Sequence, residues 1–119
     1  MASVNATTDR NSLNGIVLVT WALADADTGT AFPIPYSADL AVQVFGTFGS
    51  ATAVLQGSND GTNWATLNAW IGTNTSFTTA GMRSAVESPG YIRAVTSGGT
   101  GSALSVVVAV KATNEKTGY

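Results

Sequence analysis

The last long apolar stretch of the chain alternates without a break. Leu104, Val106, Val108 and Val110 fall on one side of an extended backbone, and Ser105, Val107, Ala109 and Lys111 fall on the other. A two-residue period held this long is a strand, and with Val107 and Ala109 on the second side it reads as one nearly buried on both faces. Other runs resemble it. Gly15–Leu23 is β-branched and aromatic and stops at the turn Asp25–Gly29. Asp39–Thr47 puts Leu40, Val42 and Val44 on one face, with Ala41, Gln43 and Phe45 on the other. Ala51–Gln56, Trp64–Ile71, Thr75–Thr78, Ser84–Glu87 and Tyr91–Thr96 follow, parted by Gly, Asn, Asp, Ser and Pro. Phe32-Pro33-Ile34-Pro35 reads as a connector, because two prolines restrict pairing to an edge or a loop. No helical period competes. Seven to nine short strands at this spacing predict an all-β fold, an antiparallel sandwich or jelly roll.

At 119 residues the chain holds one domain. The polar, aperiodic ends predict an N-terminal arm over 1–13 and a tail over 112–119, each unordered alone or ordered on a partner, around a sandwich over 14–111. A core of this size needs no staple. With no Cys and no His, the sequence lacks disulfides, thiolate ligands, Cys nucleophiles and imidazole acid–base groups, and the expectation is that it is no enzyme and carries no cofactor or metal.

Charge is sparse. Only 10% of residues are charged, and the five basic ones, Arg10, Arg83, Arg93, Lys111 and Lys116, are scattered, so no stripe exists to neutralise phosphates and no nucleic-acid partner is expected. The net charge is −2. So little self-repulsion predicts a protein that works packed against another surface. No apolar run approaches the roughly 20 residues of a membrane span, and the polar start of the chain does not read as a signal peptide, so no membrane partner and synthesis in the cytoplasm are expected.

Ser58-Asn59-Asp60-Gly61-Thr62-Asn63-Trp64 is the sharpest local signature. Turn chemistry accounts for it: Asp60-Gly61 permits the positive φ of a tight hairpin with its tip near 59–62, and Trp64 would anchor the returning strand in the core. It also resembles the Asp-box of sialidase-like propellers, Ser-x-Asp-x-Gly-x-Thr-Trp, with spacing one residue short and a single copy where blades need repeats. It is similar, too, to the Ser-x-Asp-Gly-x-x-Trp hairpin of discoidin-type domains, whose neighbouring loops bind sugars or lipids. That likeness implies a carbohydrate-binding or receptor-binding module, such as one on a tail fibre.

Most of the aromatic rings belong in the core, but Phe48 and Trp70 border glycines and are the two to expect at a contact surface. Asp25 and Asp27 share a turn without a third acidic ligand at calcium-loop spacing. Asp60 and Glu87 have nothing that sets them across a cleft as a glycosidase pair.

Three stretches carry a wider resemblance: Val42-Gln43-Val44-Phe45-Gly46-Thr47-Phe48-Gly49, Val54-Leu55-Gln56-Gly57-Ser58-Asn59-Asp60-Gly61-Thr62-Asn63-Trp64, and Gly90-Tyr91-Ile92-Arg93-Ala94-Val95-Thr96-Ser97-Gly98-Gly99-Thr100-Gly101. Over roughly residues 40–110 the chain resembles the small β-sandwich virion proteins of tailed phages, in particular capsid decoration (cement) proteins. Tail, neck and fibre proteins share such turns. The resemblance implies a protein bound to the outer surface of the major capsid protein lattice, self-associated as a homotrimer or homodimer, located on the virion and stiffening its shell. It transfers no catalytic or ligand motif, so the contact residues named from this sequence are Val4, Arg10 and Leu13 of the arm, with Phe48 and Trp70.

Overall fold

The structure is a computed structural model that describes residues 3–10, 16–34, 38–70 and 73–112. Among them lie twelve strands and no helix: β1 (Ser3–Val4), β2 (Thr7–Arg10), β3 (Ile16–Leu23), β4 (Thr28–Gly29), β5 (Phe32–Pro33), β6 (Ala38–Thr47), β7 (Thr52–Ser58), β8 (Ala65–Thr66), β9 (Ser76–Phe77), β10 (Gly81–Ala85), β11 (Tyr91–Ser97) and β12 (Ala103–Ala112). They form two sheets. Sheet I runs β1-β4-β11-β7-β8, with β5 on β11 and β9 on β7; sheet II runs β10-β6-β12-β3-β2. All pairings are antiparallel except β1 with β4. The fold is an all-β sandwich of jelly-roll type.

Alternation decides which side chains meet between the layers. From sheet II, Val17, Val19, Trp21, Leu23, Leu40, Val42, Val44, Leu104, Val106, Val108 and Val110 point inward, and Ala53, Leu55, Phe77, Ile92 and Ala94 of sheet I close over them. Each large member contributes roughly 1.5–3 kcal/mol by leaving water. Trp21 is fully buried and its Nε1–H donates to the Thr30 carbonyl at 2.9 Å, so the one polar atom of the indole is satisfied. Gly29 makes room for that ring, since a Cβ there would overlap the indole and the Ala94 carbonyl.

The strand count exceeds the expected seven to nine because β1, β4, β5, β8 and β9 are two-residue pairings, too short to show a period. The stretch read as a strand over Trp64–Ile71 is β8 followed by single bridges at Asn68 and Ala69, and the strand expected at Ser84–Glu87 lies at Gly81–Ala85. The second face of β12 is half-buried rather than buried: Ser105, Val107 and Ala109 keep partial exposure and Lys111 is exposed. Residues 3–10 differ most from the sequence reading. Instead of a free arm they form β1, parallel to β4, and β2, antiparallel to β3. An edge strand pairs through backbone groups alone, so polar side chains without a period are enough. Residues 1, 2 and 11–13 and the tail beyond 112 lie outside the described residues.

Candidate functional site

The outer face of sheet II carries an unusual amount of uncovered apolar surface at its β10 edge. Trp70 is 69% exposed, Met82 62%, Phe45 44% and Val86 43%. The register lays them out as a row along that edge, with Phe45 at one end and Val86 at the other. Met82 lies opposite Gln43, which places Phe45 one diagonal step away on the same face. The Trp70 N–H donates to the Ser84 carbonyl at 3.1 Å and the Val86 N–H to the Asn68 carbonyl at 2.8 Å, so the segment Asn68–Trp70 pairs along the outer edge of β10 and lifts its indole beside Met82. Two shallow hollows meet at Trp70. One, about 260 Å³, is lined by Ala69, Met82, Arg83 and Ser84; the other, about 280 Å³, reaches Asp39, Ala41 and Lys111.

A clamp fixes this segment. Both carboxylate oxygens of Glu87 bind Asn68, accepting from its backbone N–H at 2.8 Å and from its side-chain amide at 2.6 Å. The backbone N–H contributes most to holding the Glu87 carboxyl below the usual range.

The hairpin is built from its own sequence, as expected. Gln56 pairs with Thr66 and Gly57 with Ala65, and Gly61 turns the tip at φ +76°. The Asp60 carboxylate accepts from the backbone N–H groups of Thr62 and Asn63, both at 2.8 Å, from the Asn63 amide at 2.7 Å and from the Ser58 hydroxyl at 2.8 Å. These donors, the Asn63 N–H first, hold Asp60 far below the ordinary carboxylate range. Asp60 is thus consumed as a turn anchor. Between the hairpin and Glu87–Pro89 lies a polar cleft of about 350 Å³, lined by Asn59, Asn63, Thr66 and Ser88 and by no aromatic ring. Trp64 is half-buried, and instead of entering the core it covers the Arg93 guanidinium, 4.3 Å from the ring centre.

The remaining residues singled out from sequence scatter. Val4 and Phe48 are half-buried against the core, Arg10 pairs through its backbone with Val17, and Leu13 lies outside the described residues; only Trp70 stands in the open patch. Met82 beside Trp70, with Phe45 beyond Met82 and Val86 toward the other end of the row, was not legible, because that requires the register of β10 on β6. Asp25 caps the chain, its carboxylate accepting from the Gly101 N–H at 3.0 Å and the Ser102 N–H at 2.9 Å, while Asp27 accepts from the Ala24 N–H at 2.7 Å. Among the described residues no three His, Cys, Asp or Glu gather as a possible metal site.

No protein-family model matches the chain, and no curated protein sequence does. Solved structures share its fold. The SPBc2 prophage-derived protein YomS aligns at TM-score 0.60 and 12% identity, over 86% of this chain and 100% of that one. A cupin domain from Bordetella pertussis Tohama I aligns at TM-score 0.52 and 13% identity, over 93% of this chain and 96% of that one. The chain therefore has a cupin-like fold, shared with a phage-derived protein. This corrects the expectation of no enzyme. A missing Cys and His remove particular groups and leave others, and a cupin-like fold does not by itself decide whether a chain catalyses.

Proposed function

We propose that the chain is a virion structural subunit of a tailed phage, bound to the outer surface of the major capsid protein lattice, where it stiffens the shell. The observation that carries this reading is the apolar patch of Trp70, Met82, Phe45 and Val86 on the β10 edge of sheet II. Large side chains left in water on a sparsely charged face mark a surface that a partner covers. An exposed indole flanked by two hollows has the character of a binding anchor. The fold shared with a prophage-derived protein supports the phage setting. Repeated weak contacts over a lattice sum to strong attachment, above all for a self-associated dimer or trimer that engages several sites together.

Co-sedimentation of the purified chain with expanded phage heads tests the reading. Wild-type protein should pellet with heads in saturable amounts. Trp70→Ala with Met82→Ser should weaken that binding by about thirtyfold, corresponding to roughly 2 kcal/mol for an aromatic anchor. Because both side chains are solvated, the thermal midpoint should barely move. Attachment to isolated tails and not heads would make the chain a tail or neck subunit. Saturable binding to a glycan, without head binding, would make it a receptor-binding module.

A further inference from the structure

Sheet I has one charged residue in all its strands, and that residue is Arg93. It stands on β11, the middle strand of the main path, and its side chain emerges on the outer face between Tyr91 and Val95. Its position is fixed from two directions. The Nε–H donates to Gln56 Oε1 at 2.8 Å from the paired strand, where Gln56 lies directly opposite, and the Trp64 ring covers one face of the guanidinium at 4.3 Å. Of the five N–H donors of a guanidinium, the four on the two Nη atoms have no protein acceptor among the described residues. Nor, among the described residues, does a carboxylate pair with it: the strands of sheet I hold none, and Asp60 of the overlying hairpin is bound within its own turn.

Arg83 shows the contrast. It too lies over an aromatic ring, that of Phe77 at 4.6 Å, but its Nη1 donates to the carbonyls of Asn74 at 2.9 Å and Ser76 at 2.7 Å, tying β10 to β9. Arg83 is a tie between segments. Arg93 is half-buried and held flat, with its forked edge open to a ligand and without a protein acceptor among the described residues. A cation partly withdrawn from water without a counter-charge is costly, and a planar fork fixed in place is suited to two parallel bonds to a carboxylate.

We infer that Arg93, oriented by Gln56 and Trp64, is the anchor of a carboxylate-binding site on the outer face of sheet I, whose ligand is an Asp or Glu side chain of a partner protein. The residues beside the fork decide the source. Val54 and Val95 face out on the paired strands and make the floor beside the fork apolar, and the strands of this sheet carry no second charge, so the face complements one carboxylate on a protein surface. The site lies on the sheet opposite the Trp70 patch and does not depend on what that patch binds.

Nuclear magnetic resonance of the purified chain tests it, with sodium acetate as the probe and sodium chloride at equal ionic strength as the control. Acetate should shift the Arg93 Nε–H and the Trp64 indole N–H saturably, with a dissociation constant in the millimolar range of roughly 1–50 mM. Arg83 should not respond. Arg93→Lys, which keeps the charge and loses the fork, should lose the Trp64 response, and Gln56→Ala, which leaves Arg93 in place but unheld, should weaken binding severalfold. A shift no larger than chloride produces, an equal response at Arg83, or an unchanged Trp64 response in Arg93→Lys would each overturn the site. Glucuronate or inorganic phosphate binding more than tenfold tighter than acetate would overturn the ligand class, pointing to an acidic sugar or a phosphate.

Discussion

Gly29 has no side chain because the Trp21 indole stands where its methyl group would go. Gly29→Ala should therefore cost about 1–3 kcal/mol, the range for forcing volume into a packed core, and should lower the urea midpoint without changing the slope. A variant as stable as wild type would mean that the ring can shift. The three tryptophans show how far a residue can be read alone. Trp21 sits in a β-branched run, and its burial follows from alternation. Trp70 borders the Ile71-Gly72 pair and is exposed, whereas Phe48, read by the same punctuation, is half-buried against the core, so a bordering glycine alone does not decide exposure. Trp64 was not legible, since its environment is set by Arg93, 29 positions further along in β11. Turn chemistry is local and visible in sequence, whereas a stack between a hairpin and the sheet beneath it is a long-range contact.

At the scale of elements, two carboxylates hold the segments that shape the surface: Asp60 closes the hairpin and Glu87 clamps Asn68, two residues before Trp70. Both folded values are depressed from the ordinary 3.8 and 4.5, so their stabilisation is complete at neutral pH and is lost as the pH falls below those values and through the folded ones. Backbone amide exchange at Asn63 and Asn68, corrected for intrinsic rate, should be unchanged from about pH 7 to 5 and should accelerate below that. Glu87→Gln should loosen the Asn68 amide already at neutral pH. Opening that begins above pH 6 would contradict the clamp. Strands with long alternation, β3, β6, β7, β11 and β12, were legible to within about two residues. The two-residue strands were not, because β1, β4, β5 and β8 exist through what they pair with. β10 was misplaced for a related reason: its outward Met82 breaks the apolar-in, polar-out rule on the face that carries the exposed Trp70.

The whole molecule is a sandwich whose layers offer different surfaces. Sheet II presents an apolar patch at one edge, and sheet I a single oriented cation. Sparse charge, read from composition, accounts for the absence of a strong field over either face. The fold class was legible because period and punctuation agree along the chain; which face works was not, because it depends on how β10, β6 and the Asn68–Trp70 segment are assembled. The most direct test of the central claim is an electron-microscopy reconstruction of the phage head. It should show this two-layered sandwich on the outer surface of the capsid lattice, with Trp70 and Met82 at the join. Heads bare of such density, or a sandwich attached with the Trp70 edge facing solvent, would contradict it.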